Sequence, residues 1–295
     1  MTLVSVIIAA YNAAAHIHDA VNSVLAQTIQ DFEIVIVDDG STDSTAEVAA
    51  KYQSDPRIRY IYQSNRGPAQ ARNAGAMAAK GQYFAFLDAD DSLAPTALEI
   101  MVGRFQESGA SWSIVGVLKV QGEKTTVRHP TVPRGNLLAA ILEDDFVTRN
   151  PFYPRNEFLA IGMYDEEIYG REDWDINIRM IAAGKPFVCI HEPLYIYVHT
   201  EGSITKGSRQ RLCSNTEKLL RKHHKRIADA GSEPIARIYA KNMWDLARWY
   251  FYEIGDYREG LRCAIQSLRY DLSLKRLFHP LIHHSEVALG RRPQA

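Results

Sequence analysis

Four short segments carry side chains able to bind a nucleotide or a hard cation, and each follows a run of apolar, β-branched residues. Phe86-Leu87-Asp88-Ala89-Asp90-Asp91 ends such a run in three carboxylates within four positions. These carboxylates repel one another, and the commonest relief is a bound Mg²⁺ or Mn²⁺ that also grips phosphate oxygens. An ordinary acidic turn is the plainer reading. Asp88 and Asp90 project alike if the strand continues. Val37-Asp38-Asp39-Gly40-Ser41-Thr42-Asp43 sets two carboxylates before a glycine turn and a helix-capping sequence. Asp39 is placed to accept from a base N–H or from ribose hydroxyls, while Ser41 or Asp43 suits the cap. In Asn65-Arg66-Gly67-Pro68-Ala69-Gln70-Ala71-Arg72-Asn73-Ala74-Gly75, Pro68 marks a helix start, with Arg72 and Asn73 one turn in. An arginine there opposes the helix dipole at a cost of roughly 0.3–1 kcal/mol and calls for an anion, either a diphosphate or one of the aspartates. Ala9-Ala10-Tyr11-Asn12 offers a flat ring for a nucleobase and an amide that both donates and accepts; a tyrosine at a strand end also packs at the edge of a core.

The elements that must position these loops follow from hydrophobic period. Residues 3–10, 33–37, 57–63 and 82–87 read as strands, and 13–27, 42–52, 68–80 and 95–108 as helices. Such alternation predicts an α/β fold, a mostly parallel sheet flanked by helices, with ligands outside the carboxyl ends of the strands. Residues 112–120 and 125–128 read as a hairpin about Gly122, and 135–143 as a helix. Residues 150–155, with Pro151 and Pro154, read as a loop shaping a pocket rather than as an element. A helix over 172–183 ends at Gly184, and 187–191 and 195–198 return to strand character. Beyond Thr205 the pattern is helical, over 208–230, 234–254 and 257–270 and in a shorter piece after Pro280. This divides the chain into a catalytic domain, 1–205, and a C-terminal helical extension, 206–295. Gly255-Asp256-Tyr257 with Gly260, Ala264 and Tyr270 is similar to one hairpin of a tetratricopeptide array, but about three repeats are needed for a solenoid, so it reads as a helical cap.

The chain has 295 residues, 46% apolar and 23% charged, which is globular material with no apolar run approaching the roughly 18 to 20 residues of a membrane span. Three scattered cysteines, Cys189, Cys213 and Cys263, show no metal-ligand spacing and suit a reducing compartment. The expectation is an unprocessed cytoplasmic protein. A net charge of -1 hides an asymmetry: residues 1–205 carry 16 Lys and Arg against 26 Asp and Glu, and residues 206–295 carry 18 against 9. The acidic part suits a divalent cation. The basic part is complementary to it, and also to anionic lipid. Residues 274–288 are basic and amphipathic, so peripheral contact with the inner face of a membrane is one use of the extension and a homodimer is another. Nucleic acid is not the expected partner.

Taken in order, Tyr11-Asn12, Val37 to Asp43, Ala71-Arg72-Asn73-Ala74-Gly75 and the Asp88-Ala89-Asp90 "DXD" element resemble the family 2 glycosyltransferases of the GT-A, Rossmann-like fold. Gly162-Met163-Tyr164-Asp165-Glu166 resembles that family's acceptor-side turn, and Glu172-Asp173-Trp174-Asp175 its catalytic "ED" motif. The resemblance covers roughly residues 3–205. It implies that a nucleoside diphosphate sugar, with uridine the favoured base, donates to a hydroxyl of a saccharide or lipid-linked saccharide. It implies that Tyr11, Asn12 and Asp39 meet the nucleobase end, Asp88 and Ala89 the ribose, Arg72 the phosphates, and Asp90 and His199 the metal, Mn²⁺ or Mg²⁺. Asp173 is then the general base of a single in-line displacement that inverts the anomeric centre. Glu172 and Trp174 fall on the acceptor side, although the spacing of Trp174 with Ile178 and Ile181 slightly favours core packing. Ala9-Ala10 stands where relatives commonly have a proline, and Pro151-Phe152-Tyr153-Pro154 departs from the usual approach to the acceptor. A nucleotidyltransferase would carry a glycine-rich basic loop after the first strand and a dehydrogenase G-x-G-x-x-G there; residues 9–15 have neither. The remaining alternative is a nucleotide-sugar binding or scaffold protein without transfer activity, against which the retained Asp173 argues.

Overall fold

The computed structural model describes residues 2–147, 149, 151–199, 209–228 and 233–270. Strands β1 (Val4–Ala10) and β2 (Phe32–Asp39) are nearly continuous apolar runs, as required of strands covered on both faces. Alternation assigns the faces: Val4, Val6, Ile8, Ile34 and Ile36 enter one core, and Ile7, Val35 and Val37 enter the other. Helix α1 (Ile17–Leu25) buries Ile17, Ala20, Val21 and Val24, one stripe at helical spacing, in the first core. After α2 (Thr45–Ala50) and β3 (Ile58–Gln63), α3 (Pro68–Ala78) lays Ala69, Ala71 and Ala76 on the second face. Strand β4 (Tyr83–Asp88) completes a parallel set in the order β3-β2-β1-β4. All four strands end on the same edge, where the loops singled out above emerge.

A second, four-stranded sheet follows, in the order β5-β9-β6-β7. Here β5 is Ser92–Leu93, α4 (Ala97–Ser108) packs Leu98, Met101, Val102 and Phe105 into the first core, and β6 (Trp112–Gln121) with β7 (Lys124–Arg128) forms the hairpin about Gly122. After α5 (Leu137–Glu143), the segment expected as a loop contains a strand, β8 (Phe152–Pro154), antiparallel to β4, and then a short helix, α6 (Arg155–Ala160). The prolines do hold the backbone extended, but the edge of β4 turns extension into pairing, with Phe86 N–H donating to the Pro151 carbonyl at 2.8 Å. Phe152 and Tyr153 are fully buried, one in each core. Helix α7 (Glu172–Ala182) packs Ile176 and Met180 into the second core.

Strand β9 (Phe187–Val198) runs unbroken where two strands were expected. The interruption at Pro193 survives as a register shift: β9 pairs in parallel with β6, and the register slips on both sides of Gly116, opposite Pro193. A Cβ on Gly116 would stand 2.7 Å from the carbonyl oxygens of both His191 and Glu192. Next to this irregularity, Val115 N–H donates to the Arg149 carbonyl at 2.9 Å, so the bulge and the backbone of Arg149 share one support.

Contacts divide the chain into two compact units, residues 1–141 with 145–205, and residues 142–144 with 206–295. The second unit comprises α8 (Arg209–Ala228), α9 (Glu233–Trp249) and α10 (Tyr257–Tyr270). The helix expected over 234–254 widens into a π-helical turn, Tyr250–Ile254, stopped by Gly255 at φ 79°. Its core joins Cys213, Leu220, Met243, Trp244, Tyr250 and Cys263. Glu217 accepts from Arg221 Nε and Arg262 Nη1 at 2.8 and 2.7 Å, which explains why burial fails to raise its pKa. The piece expected after Pro280 and the basic stretch 274–288 lie outside the described residues. No described helix is long and apolar enough to cross a membrane.

Gly116→Ala is expected to lower the unfolding free energy by about 1–3 kcal/mol, since rigid carbonyls rather than side chains must give way. Urea unfolding followed by circular dichroism measures it, and an unchanged midpoint contradicts the packing described here.

Candidate active site

The loops at the carboxyl edge bind one another first. Asn12, at φ 49°, accepts from Thr42 N–H at 2.8 Å through its side-chain oxygen and donates its own N–H to Ser41 Oγ at 2.9 Å. Ala13 and Ala14 donate to Thr45 Oγ1 and Asp43 Oδ2. Asp38 accepts from Ser41 N–H and Tyr60 Oη, and burial followed by this carboxylate raises the Tyr60 pKa. Asp39 is 3% exposed and receives Gln63 Nε2, Arg66 N–H and Gly67 N–H at 2.7 to 2.9 Å. Three donors leave about one of the four acceptor positions of a carboxylate. Asp39 is therefore first a clamp on the turn into α3, with room for one ligand donor. Tyr11 stands 51% exposed beside this socket.

The arginine expected to seek an anion finds two. Arg72 Nη2 donates to Asp88 Oδ1 at 2.7 Å, and Nη1 to Glu172 Oε1 at 2.8 Å. Burial lowers the Arg72 pKa, and the charges of Asp88, Asp173 and Glu172 more than reverse that. Burial also works against the Asp88 anion, yet Arg72 and then Arg149 hold its pKa well below the usual carboxylate range. Burial raises Glu172 against the pull of Arg72, and Glu172 Oε2 has no hydrogen-bond partner among the described residues. The neighbouring Asn73 fixes the expected acceptor-side turn, donating to the Tyr164 carbonyl at 2.9 Å and accepting its N–H at 3.1 Å. Arg179, paired with Asp175, donates to the Ile161 and Met163 carbonyls behind that turn.

Arg149 is the residue the sequence reading missed. Its Nη2 donates to Asp88 Oδ2, to Asp91 Oδ2 at 3.3 Å and to Tyr195 Oη at 3.0 Å, while Nη1 lies 3.8 Å from Asp173 Oδ2. No motif surrounds it. The available signal was electrostatic: Asp88, Asp90, Asp91 and Asp173 needed more cation than Arg72 alone. Arg72, Asp88, Arg149, Tyr164 and Tyr195, with Phe86 and Pro151 as apolar wall, line a cleft onto which Asp173 opens, its side chain 38% exposed. Asp173 sits in the first turn of α7, where the helix dipole favours the anion. Asp91 is pushed up to about 7, by burial and then by Asp88, against Arg149 and the Val198 N–H.

Several of the residues expected to contact ligands have partners within the chain. Trp174 is 8% exposed, donates Nε1–H to the Ile141 carbonyl at 2.6 Å and carries Arg171 over its ring, so it is a core residue rather than an acceptor platform. Glu172 is turned to Arg72 instead of to an acceptor. Ala89 is 5% exposed and packs in the first core, spacing the aspartates. Arg72 has both terminal nitrogens on carboxylates, one of them an aspartate as the sequence allowed. Asp90 is half-buried beyond β4, and His199 N–H donates to the Val120 carbonyl at 2.8 Å. Among the described residues, no three His, Cys, Asp or Glu side chains gather into a metal-holding group.

A mostly parallel sheet with Asp39 and Asp88 at its carboxyl edge, and with Asp88 and Asp173 lining one cleft, is the architecture of a GT-A glycosyltransferase, and the chain belongs to glycosyl transferase family 2, whose profile matches residues 5–164. Among its relatives are the Bacillus subtilis (strain 168) protein described as uncharacterized glycosyltransferase EpsJ, 30% identical over 217 residues, and the succinoglycan biosynthesis protein ExoO of Rhizobium meliloti (strain 1021), 35% identical over 227 residues. These alignments cover 69% and 70% of this chain and 63% of each relative. The chondroitin synthase of Pasteurella multocida (strain Pm70) is 34% identical over 189 residues, covering 62% of this chain and 19% of that protein. The chain thus spans less than two thirds of the length of these curated relatives. The crystal structure of S. aureus TarS 1-349 in complex with UDP-GlcNAc shares the fold, with TM-score 0.70 and 19% identity, covering 97% of this chain and 87% of that one.

Asp145, beside Asp173, carries a testable charge. Burial lifts it from 3.8 to about 7, against a hydrogen bond from Asn177, and Asp173 adds to the rise. Its folded pKa is raised, so its stabilisation is complete below about pH 4 and is lost as pH rises through about 7. Asp145→Asn keeps the Asn177 contact without the charge. Its Tm is expected to match wild type near pH 4 and to exceed it increasingly towards pH 8 by differential scanning calorimetry; parallel curves contradict the assignment.

Proposed function

We propose that the chain transfers a sugar from a nucleoside diphosphate donor, with uridine as the base, to a hydroxyl of a saccharide or lipid-linked saccharide, with inversion at the anomeric carbon. The observation that carries this reading is Asp173: an exposed carboxylate at a helix start, opening onto the same cleft as Asp88 and held off the other acids by Arg149. In the reading, Tyr11 stacks on the base, the remaining acceptor position of Asp39 takes a base or ribose donor, and Asp88 takes ribose hydroxyls. Asp173 removes the acceptor proton as the hydroxyl attacks the face opposite the leaving diphosphate. The bound UDP-GlcNAc of the TarS neighbour supports uridine, and the names of ExoO and the chondroitin synthase support polysaccharide synthesis.

Asp90, a half-buried carboxylate just beyond β4, offers a hard oxygen donor that fits Mg²⁺ or Mn²⁺ of the kind held by one or two carboxylates and completed by substrate phosphates and water. The absence of a three-ligand protein cluster among the described residues suits that type rather than an all-protein cage. A cation bound there would neutralise charge on the departing diphosphate. Asp90 is its proposed ligand, with His199 as the second candidate.

Asp173→Asn is expected to cut turnover by roughly 10²–10⁴-fold while donor affinity stays within a few-fold. Purified protein, Mn²⁺ and a panel of nucleoside diphosphate sugars with saccharide acceptors, followed by diphosphate release and by NMR of the product anomer, test both points. Unchanged turnover in Asp173→Asn removes it as the base, and a retained anomeric configuration refutes the single displacement. EDTA is expected to abolish transfer, and full activity in EDTA contradicts the metal.

A further inference from the structure

The two arginines of the cleft are not equivalent. Arg72 is 10% exposed, and each of its terminal nitrogens faces its own carboxylate. Arg149 is 25% exposed, and among the described residues all its side-chain hydrogen bonds leave through the single nitrogen Nη2. Nη1 faces Asp173 at 3.8 Å, beyond hydrogen-bond reach. The rest of the side chain is held: the guanidinium lies over the Tyr195 ring at 4.5 Å, and the backbone carbonyl accepts from Val115 N–H. A planar fork anchored at its stem, with Nη1 on the cleft and the two Nη2 hydrogens shared among three acceptors, can offer a phosphate two donors by giving up one of those contacts.

We infer that Arg149, and not Arg72, grips the diphosphate of the donor. This rests on the nucleotide-sugar reading above. Asp88 adds a second consequence: its Oδ1 is taken by Arg72 and its Oδ2 by Arg149, so a hydroxyl that hydrogen-bonds to Oδ2 must share or replace the Arg149 contact. A phosphate drawing Arg149 towards itself releases Oδ2 at the same moment. Arg149 is thus an exchangeable counter-ion, coupling recognition of the phosphates to recognition of the sugar hydroxyls of the nucleoside. Its separation from Asp88 by 61 residues explains why no local motif contains both.

Calorimetric titration of the full chain with UDP and with uridine, in Mn²⁺ and again in EDTA, tests the inference on wild type, Arg149→Met and Arg149→Lys. A charge-assisted phosphate contact is worth about 1.5–3 kcal/mol, so Arg149→Met is expected to weaken UDP by on the order of 10- to 100-fold. Uridine, which lacks the phosphates, is expected to keep its affinity within roughly threefold or to bind slightly better, because Asp88 Oδ2 is released. Arg149→Lys keeps the charge but not the fork and is expected to fall between. Its thermal melt checks folding and it carries the test if the methionine variant does not fold. An equal loss for UDP and uridine, or an unchanged UDP affinity in both variants, overturns the inference while leaving the nucleotide-sugar reading standing. If wild type binds none of UDP, GDP and dTDP, that reading fails and the inference fails with it.

Discussion

A buried guanidinium needs anions, and Arg72 draws them from two places far along the chain. Asp88 lies 16 residues away at the end of β4, and Glu172 lies 100 residues away at the start of α7. Leaving such a charge unpaired in the interior costs several kcal/mol, so the fold must bring α3, β4 and α7 together at one point. That point is the floor of the cleft. From it the charges alternate, Glu172 to Arg72 to Asp88 to Arg149 and on to Asp91, with Asp173 left on the open side. The one carboxylate of this set that keeps substantial exposure is the one assigned the proton transfer.

The same economy governs the proposed nucleotide end. Asn12, Asp38, Asp39 and Asp43 spend most of their hydrogen-bonding capacity tying the loops after β1, β2 and β3 together. A socket preassembled in this way does not have to be ordered by its ligand, and that lowers the entropic cost of binding. Tyr11, exposed beside it, adds a flat surface without conformational freedom of its own beyond two torsions. Residue types that signal ligand binding in the sequence are thus largely the frame, and only part of each remains for a ligand.

The parallel sheet was legible because β1, β2 and β4 are apolar on both faces and the helices between them are amphipathic, two periods that local sequence expresses directly. The loops at its edge were legible for the same reason, each following a strand. What depended on tertiary contact was not. Strand β8 exists because β4 offers an edge to a proline-extended segment, and two apparent strands merge into β9 because β6 accommodates the bulge at Pro193. Trp174 could be read as platform or core until the Ile141 carbonyl claimed its N–H. Arg149 sits 61 residues from its partner Asp88 with no pattern around it, and only the surplus of carboxylates in the cleft hinted that a second cation was required.

The claim that the Arg72–Asp88 pair organises the cleft is tested most directly by a double-mutant cycle of Arg72→Met and Asp88→Asn, read by urea unfolding of wild type, both single variants and the double variant. The account predicts that the two substitutions are non-additive, with a coupling of at least about 1.5 kcal/mol, because removing either partner leaves the other with one counter-ion in place of two, Glu172 for Arg72 and Arg149 for Asp88. Additivity within about 0.5 kcal/mol would mean that the two side chains act independently, and the cleft would need a different physical basis.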